Sequence, residues 1–329
     1  MQNRIDWINY SKGFGIILVV FGHVVGGSII SGIELGKALT VIHSVIYHFH
    51  MPLFFFLSGL FVRQSFKKRG LKDFLVYKIK IILYPYFIWS LIQGIVLIIV
   101  SGRTYLDYSF NDLLSIPYLP LQHFWFLYVL FLIFLFYSIV AVPLKDSRLL
   151  ISIIIIVGVI LYLNPLTTHT FSLNMFSKML IFFVIGTLYE QLFGLATTKI
   201  KFSWLFAIIL FTTGEVISFL YENTLTSAIN PFTGIFSILL LSMYLSEKNY
   251  LPLIKKLGEY SLVIYLAHGI FSSGSRIILH DFFHFPGIEF VLILSFVAGI
   301  IFPIILYKIS LRKNFSFIFE LPKDPFPRG

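Results

Sequence analysis

The sequence predicts an all-α polytopic membrane protein, one domain over 1–329, with about ten transmembrane helices and both termini in the cytoplasm. Three observations carry that expectation. Hydrophobic residues make up 58% of the chain and charged residues only 12%, about half the ~25% charged share of soluble domains. Apolar stretches recur at approximately 13–31, 44–62, 80–100, 123–144, 149–164, 171–192, 202–221, 229–246, 260–279 and 288–309. Most approach the ~20 residues that cross a hydrocarbon core; 149–164 is shorter and 44–62 more polar. Lastly, with the N-terminus inside and the spans alternating, 21 of the 25 Lys and Arg fall on the cytoplasmic side, the bias that orients membrane proteins.

Composition also excludes function classes. The net charge of +10 invites nucleic acid, but the cations punctuate apolar stretches as loop charges do, so no nucleic-acid partner is expected. There is no cysteine, which removes disulfides, thiolate nucleophiles and Cys-ligated metals. The first apolar stretch lacks a small-residue cleavage site and is read as a retained span. No internal repeat is evident, which weakens an inverted-repeat transporter.

The first span holds Lys12 and His23, eleven residues apart. Eleven steps of ~100° come within about 20° of three full turns, so both side chains share one helix face. The rise is ~16 Å, about half the hydrocarbon thickness. Lys12 is expected at a membrane surface and His23 near the midplane. An intramembrane histidine is by default a functional candidate; the plainer reading is a hydrogen bond to a neighbouring helix. Neutral imidazole can take a proton from an attacking hydroxyl.

The second span carries His48 and His50, which diverge by ~200° on a helix. His50 reaches a depth close to that of His23, so the two could face one cavity. Pro52 frees a carbonyl there, and Ser58 and Gly59 permit close helix approach. A metal bound by His23, His48 and His50 lacks a nearby carboxylate and needs a diverging pair to converge, so no metal is expected.

The stretch from Arg63 to Lys80, expected as a cytoplasmic loop between two spans, is the most basic segment. It reads either as an anchor at an anionic leaflet or as a binding surface for a cytosolic polyanion. The outer loop 101–122, with Tyr105, Asp107, Tyr108, Asp112 and Tyr118, suits interfacial anchoring or sugar binding. His123 beside Trp125 is expected in an aromatic belt or at an outward opening. Lys178 is placed to snorkel. Glu215 needs a partner or a proton. His268 is expected to be satisfied by a neighbouring helix. Arg276 is intramembrane, and the tail ELPKDPFPRG reads as irregular.

Five blocks then carry a resemblance: KGFGIILVVFGHV at 12–24, HMPLFFFLSGLF at 50–61, LYPYFIWSLI at 83–92, HFWFLYVLFL at 123–132 and LGEYSLVIYLAHGIF at 257–271. In order and spacing they resemble the acyltransferase-3 family of integral membrane acyltransferases, nearest its fucose 4-O-acetylase-like bacterial branch. The resemblance implies ten helices in the bacterial cytoplasmic membrane. It implies transfer of an acyl group, usually acetyl, from cytosolic acyl-CoA to an extracytoplasmic or lipid-linked glycan. The family's cation, ten residues, histidine motif falls on Lys12 and His23, which implies a catalytic His23 and a Lys12 in the acyl-CoA site. Arg63, Lys78 and Lys80 are the further cations expected at the acyl-CoA phosphates, and His48, His50 and Trp125 are expected on the acceptor side. Two departures stand out. Asn9 occupies a position that is often acidic in the family. Lys78 and Lys80 stand before Pro85 where many members carry an arginine pair, so the bidentate geometry of Arg is absent. A transporter or flippase with His23, Glu215 and Arg276 along its path is the alternative. A sensory or assembly protein without catalysis is a third reading.

Overall fold

A computed structural model describes residues 3–101, 108–144, 148–193, 203–221 and 224–320. Arg103, Tyr105, Asp107, Lys145, Lys199, Lys201, Lys323 and Arg328 lie outside the described residues, as does most of the tail. The described chain is helical throughout, with no strand. The helices are α1 (Asn3–Ile30), α2 (Lys37–Gly59), α3 (Val62–Lys78), α4 (Tyr84–Ile99), α5 (Phe110–Ser115), α6 (Trp125–Leu144), α7 (Arg148–Leu163), α8 (Phe171–Phe193), α9 (Ser203–Leu220), α10 (Thr224–Lys248), α11 (Pro252–Glu259), α12 (Ser261–Arg276) and α13 (Ile288–Arg312). Among the described residues nine helical segments are long and apolar enough to cross a membrane, with α7 a shorter apolar helix at the expected fifth span. The chain is therefore a multi-pass membrane protein.

The central element is α1, which packs against α2, α10, α11, α12 and α13. Two glycine contacts set how closely its neighbours approach. A Cβ at Gly13 would collide with the Ile254 carbonyl, and one at Gly258 with the Asn9 carbonyl, so α11 crosses the start of α1 backbone to backbone. The Lys255 ammonium donates to Asp6 at 2.7 Å across that crossing, and this bond raises the Lys255 pKa above its usual value. Gly59 and Gly186 do the same for α2 and α8, each facing a carbonyl of the other helix. Small residues let membrane helices approach closely where lipid supplies no hydrophobic drive.

The basic segment expected as a loop is a helix, and its composition explains why. Lys, Arg, Leu and Gln are good helix formers. Its aromatic face packs on α6, with Phe74 against Phe134 and Phe66 against Tyr137. Lys67, Lys68 and Lys72 stay exposed. At Gly70 (φ 70°, ψ 176°) the helix breaks in a conformation other residues rarely adopt. A π-helical turn over Ile79–Leu83 then joins α3 to α4. In the outer segment, the Asp112 carboxylate takes the Ser109 backbone N–H at 2.7 Å and its hydroxyl at 2.8 Å. These bonds hold the Asp112 carboxyl below its usual range and make it a helix cap.

Candidate functional site

Two cavities sit one above the other in the bundle, and Tyr265 borders both. The first, about 550 Å³, is bordered by Lys12, Lys68, Arg69 and Lys78, with Ser58, Gln64, Ser65 and Ser261 among the polar groups and no Asp or Glu among its described lining residues. The second, about 470 Å³, is bordered by His23, His48, His50, His123, Trp125, Tyr47, Tyr162 and Lys178. Both fall in the size range of small-molecule sites, ~300–1,000 Å³.

Two cations of the first cavity, Lys78 and Arg69, are held by aromatic rings. The Lys78 ammonium lies 3.6 Å from the centroid of Phe134 and 5.2 Å from that of Phe74. Lys78 is only 6% exposed. The Arg69 guanidinium lies 3.9 Å over Tyr77 and donates to Ser65 at 3.1 Å. Rings orient a cation without neutralising it, so the cavity keeps its positive charge for an anion. Arg63 faces Glu190 at 3.9 Å instead. Neither Arg63 nor Lys80 is among the residues bordering this cavity.

In the second cavity His23 is not alone. Its ring centroid lies 5.1 Å from that of His268 and 5.4 Å from that of His123, and those two are 4.7 Å apart. The Nε2 atoms of His123 and His268 are buried without a hydrogen-bond partner. The Tyr265 hydroxyl donates to the His123 carbonyl, tying the wall between the cavities to this cluster. His50 is fixed by its own helix: its Nδ1 donates to the Ile46 carbonyl at 2.8 Å, which leaves Nε2 bare.

His48 borders the cavity too, but its ring is engaged behind it. Its Nδ1 meets Asn230 Nδ2 at 2.8 Å and Glu215 Oε2 at 3.4 Å. The partner that Glu215 required is thus His48 together with Asn230. Trp125 stacks on Phe55 at 6.2 Å and faces the same cavity. Lys178 is exposed and borders the cavity rather than only reaching for an interface. Arg276 is buried in α12 and borders neither cavity.

Sequence reasoning placed Lys12 and His23 on one helix face, and α1 is unbroken helix between them. It missed that Tyr265 stands between the spaces they border. It also gave His268 to a neighbouring helix, whereas its Nδ1 is satisfied within its own helix and its Nε2 is left bare. His123 is 7% exposed, inside the bundle rather than in a belt. The available signal was that His23, His123 and His268 each sit in one of the blocks that carry the family resemblance.

The family model described as an acyltransferase domain, that of the acyltransferase-3 family, matches residues 5–308. No curated protein and no solved structure matches the chain.

Proposed function

Because the chain belongs to the acyltransferase-3 family, which makes it a membrane acyltransferase, we propose that it moves an acyl group, in the simplest case acetyl, from cytosolic acyl-CoA to a hydroxyl of an extracytoplasmic or lipid-linked glycan. The setting is the bacterial cytoplasmic membrane, and the branch is that of the fucose 4-O-acetylase-like enzymes. The observation that carries this reading is the charge contrast across Tyr265. On one side is a cationic cavity without a bordering carboxylate, and on the other an imidazole cluster with unpartnered nitrogens.

The residues fit an acyl-CoA. Lys12, Lys68, Arg69 and Lys78 suit its phosphates, and the apolar wall of Phe54, Leu57 and Phe126 suits its pantetheine arm. On the acceptor side, the rings of Tyr47, Trp125 and Tyr162 offer stacking faces for a sugar. His23 takes the proton of the sugar hydroxyl as its oxygen attacks the thioester carbonyl. The C–S bond then breaks, and the departing thiolate recovers the proton from the imidazolium, giving the ester and CoA. General base catalysis contributes about 10²–10⁴-fold.

The test is His23→Ala, matched to wild-type membrane level. Thiol release from acetyl-CoA in membranes of the expressing cells should fall at least about a hundredfold, with surface-glycan acetyl groups lost by mass spectrometry. Undiminished acetylation ends the proposal. The transporter reading predicts no acetyl-CoA consumption at all, and Arg276 does not border the spaces such a path would use.

A further inference from the structure

We infer that His268 is a positioning residue that selects the tautomer of His23, by accepting its N–H on Nε2 and leaving the other His23 nitrogen bare toward the acceptor cavity. The inference rests on the acyltransferase reading and adds a residue to it. Its first support is the fixed orientation of His268. Nδ1 lies 2.8 Å from the Tyr265 carbonyl and 3.1 Å from that of Ile264. Carbonyl oxygens only accept, so Nδ1 carries the proton and Nε2 the lone pair. The ring is therefore an acceptor at its inner end. It is fully buried at 0% exposure and borders neither cavity, so it meets no substrate.

The second support is the orphaned nitrogen. Nε2 of His268 is buried with no partner, a state that is costly to leave unmet. The His23 ring lies 5.1 Å away, centroid to centroid. Two ring nitrogens turned toward each other across that gap come within about a hydrogen-bond length, ~2.9 Å. A neutral imidazole has a single N–H. If His23 spends it on His268, its remaining nitrogen has to be the base. The hydrogen bond made by one nitrogen thus sets what the other can do. His23 borders the acceptor cavity while His268 stands behind it, which is the order this role requires. His123 also lies within reach of His268, at 4.7 Å, so the test must separate the two.

Gln and Asn discriminate sharply. The amide oxygen of Gln can take the place of Nε2, whereas the amide of Asn reaches only the place of Nδ1. In membranes given acetyl-CoA, His268→Gln should keep kcat within about threefold of wild type. His268→Asn and His268→Ala should lose on the order of tenfold or more, with KM for acetyl-CoA unchanged in all. The gap between Gln and Asn should persist in a His123→Phe background. Equal activities of Gln and Asn, a loss confined to KM, or a gap that vanishes with His123→Phe would each overturn the assignment. Should the Asn variant fail to reach the membrane, 15N-histidine NMR of wild-type and His268→Gln protein in lipid nanodiscs decides it. One His23 tautomer is expected in both, and a mixture in wild type overturns it. Full activity of His23→Ala would instead strike the acyltransferase mechanism itself.

Discussion

The two cavities are of similar volume, share Tyr265 as a wall, and treat charge in opposite ways. Around the Lys12 cavity, among the described residues, four cations gather and no bordering carboxylate neutralises them. Beside the His23 cavity, Glu215 is engaged by the bordering His48 and by Asn230, and Lys178 is the single Lys or Arg among the described bordering residues. On the proposed function, this contrast is a division of labour. A fixed field of cations draws in a polyanion and has no use for proton transfer. A group of imidazoles in an apolar setting exerts little field and is suited to move one proton.

That contrast can be broken by exchanging the effects of substitutions on either side. The largest expected effect after His23→Ala is Lys12→Ala. Removing one charge-assisted contact of about 1.5–3 kcal/mol should raise KM for acetyl-CoA by about ten- to a hundredfold, with kcat nearly unchanged. Steady-state kinetics at several salt concentrations check it, since the wild-type KM should also climb with ionic strength. A fall in kcat at constant KM would erase the division.

The shared wall offers a sharper probe. Tyr265→Phe removes only the bond to the His123 carbonyl and should cost about 1 kcal/mol of stability. Tyr265→Ala merges the two spaces and should let water reach the thioester. Acetyl-CoA hydrolysis without acetylated glycan is the expected readout, and unchanged coupling would show that the wall has no such part. Next in size is Gly258→Ala. The added methyl meets the Asn9 carbonyl, so α11 must move off α1, and overpacking of this kind costs about 1–3 kcal/mol. A lowered thermal midpoint in detergent checks it.

The smallest effect is expected at the Lys255–Asp6 pair. Lys255 has a raised pKa in the folded protein, so its contribution is whole below the ordinary lysine value of 10.5 and fades as pH rises through the folded value. The pair is partly open to solvent, with side chains 27% and 21% exposed, so Lys255→Ala should cost no more than about 1 kcal/mol. Unfolding of wild type and variant should converge above pH 10.5. A gap that persists at high pH would assign the stability to another group.

Some of this was plain from residue order. The positions of the spans followed from hydropathy, because a helix in lipid must satisfy its own backbone and present apolar side chains along ~20 residues. The relation of Lys12 to His23 followed from helical geometry alone. The basic stretch at 63–80 misled, since cations between two spans look like a loop whether or not Phe66 and Phe74 find a surface to pack on. His268 misled for a similar reason: a histidine on an apolar helix reads the same whether a neighbouring helix satisfies its ring or only other imidazoles pack beside it.

Local periodicity, composition and charge bias were enough to establish a helical membrane protein and the helix that carries Lys12 and His23, while the resemblance to the family came from five blocks in order. These are properties of short windows, fixed by backbone hydrogen bonding and the lipid around it. The meeting of His23 with His123 and His268, the placing of Tyr265 between two spaces, and the pairing of His48 with Glu215 depend on contacts between helices far apart in the chain. Those contacts are set by how closely the helices approach one another, and no single window records that distance.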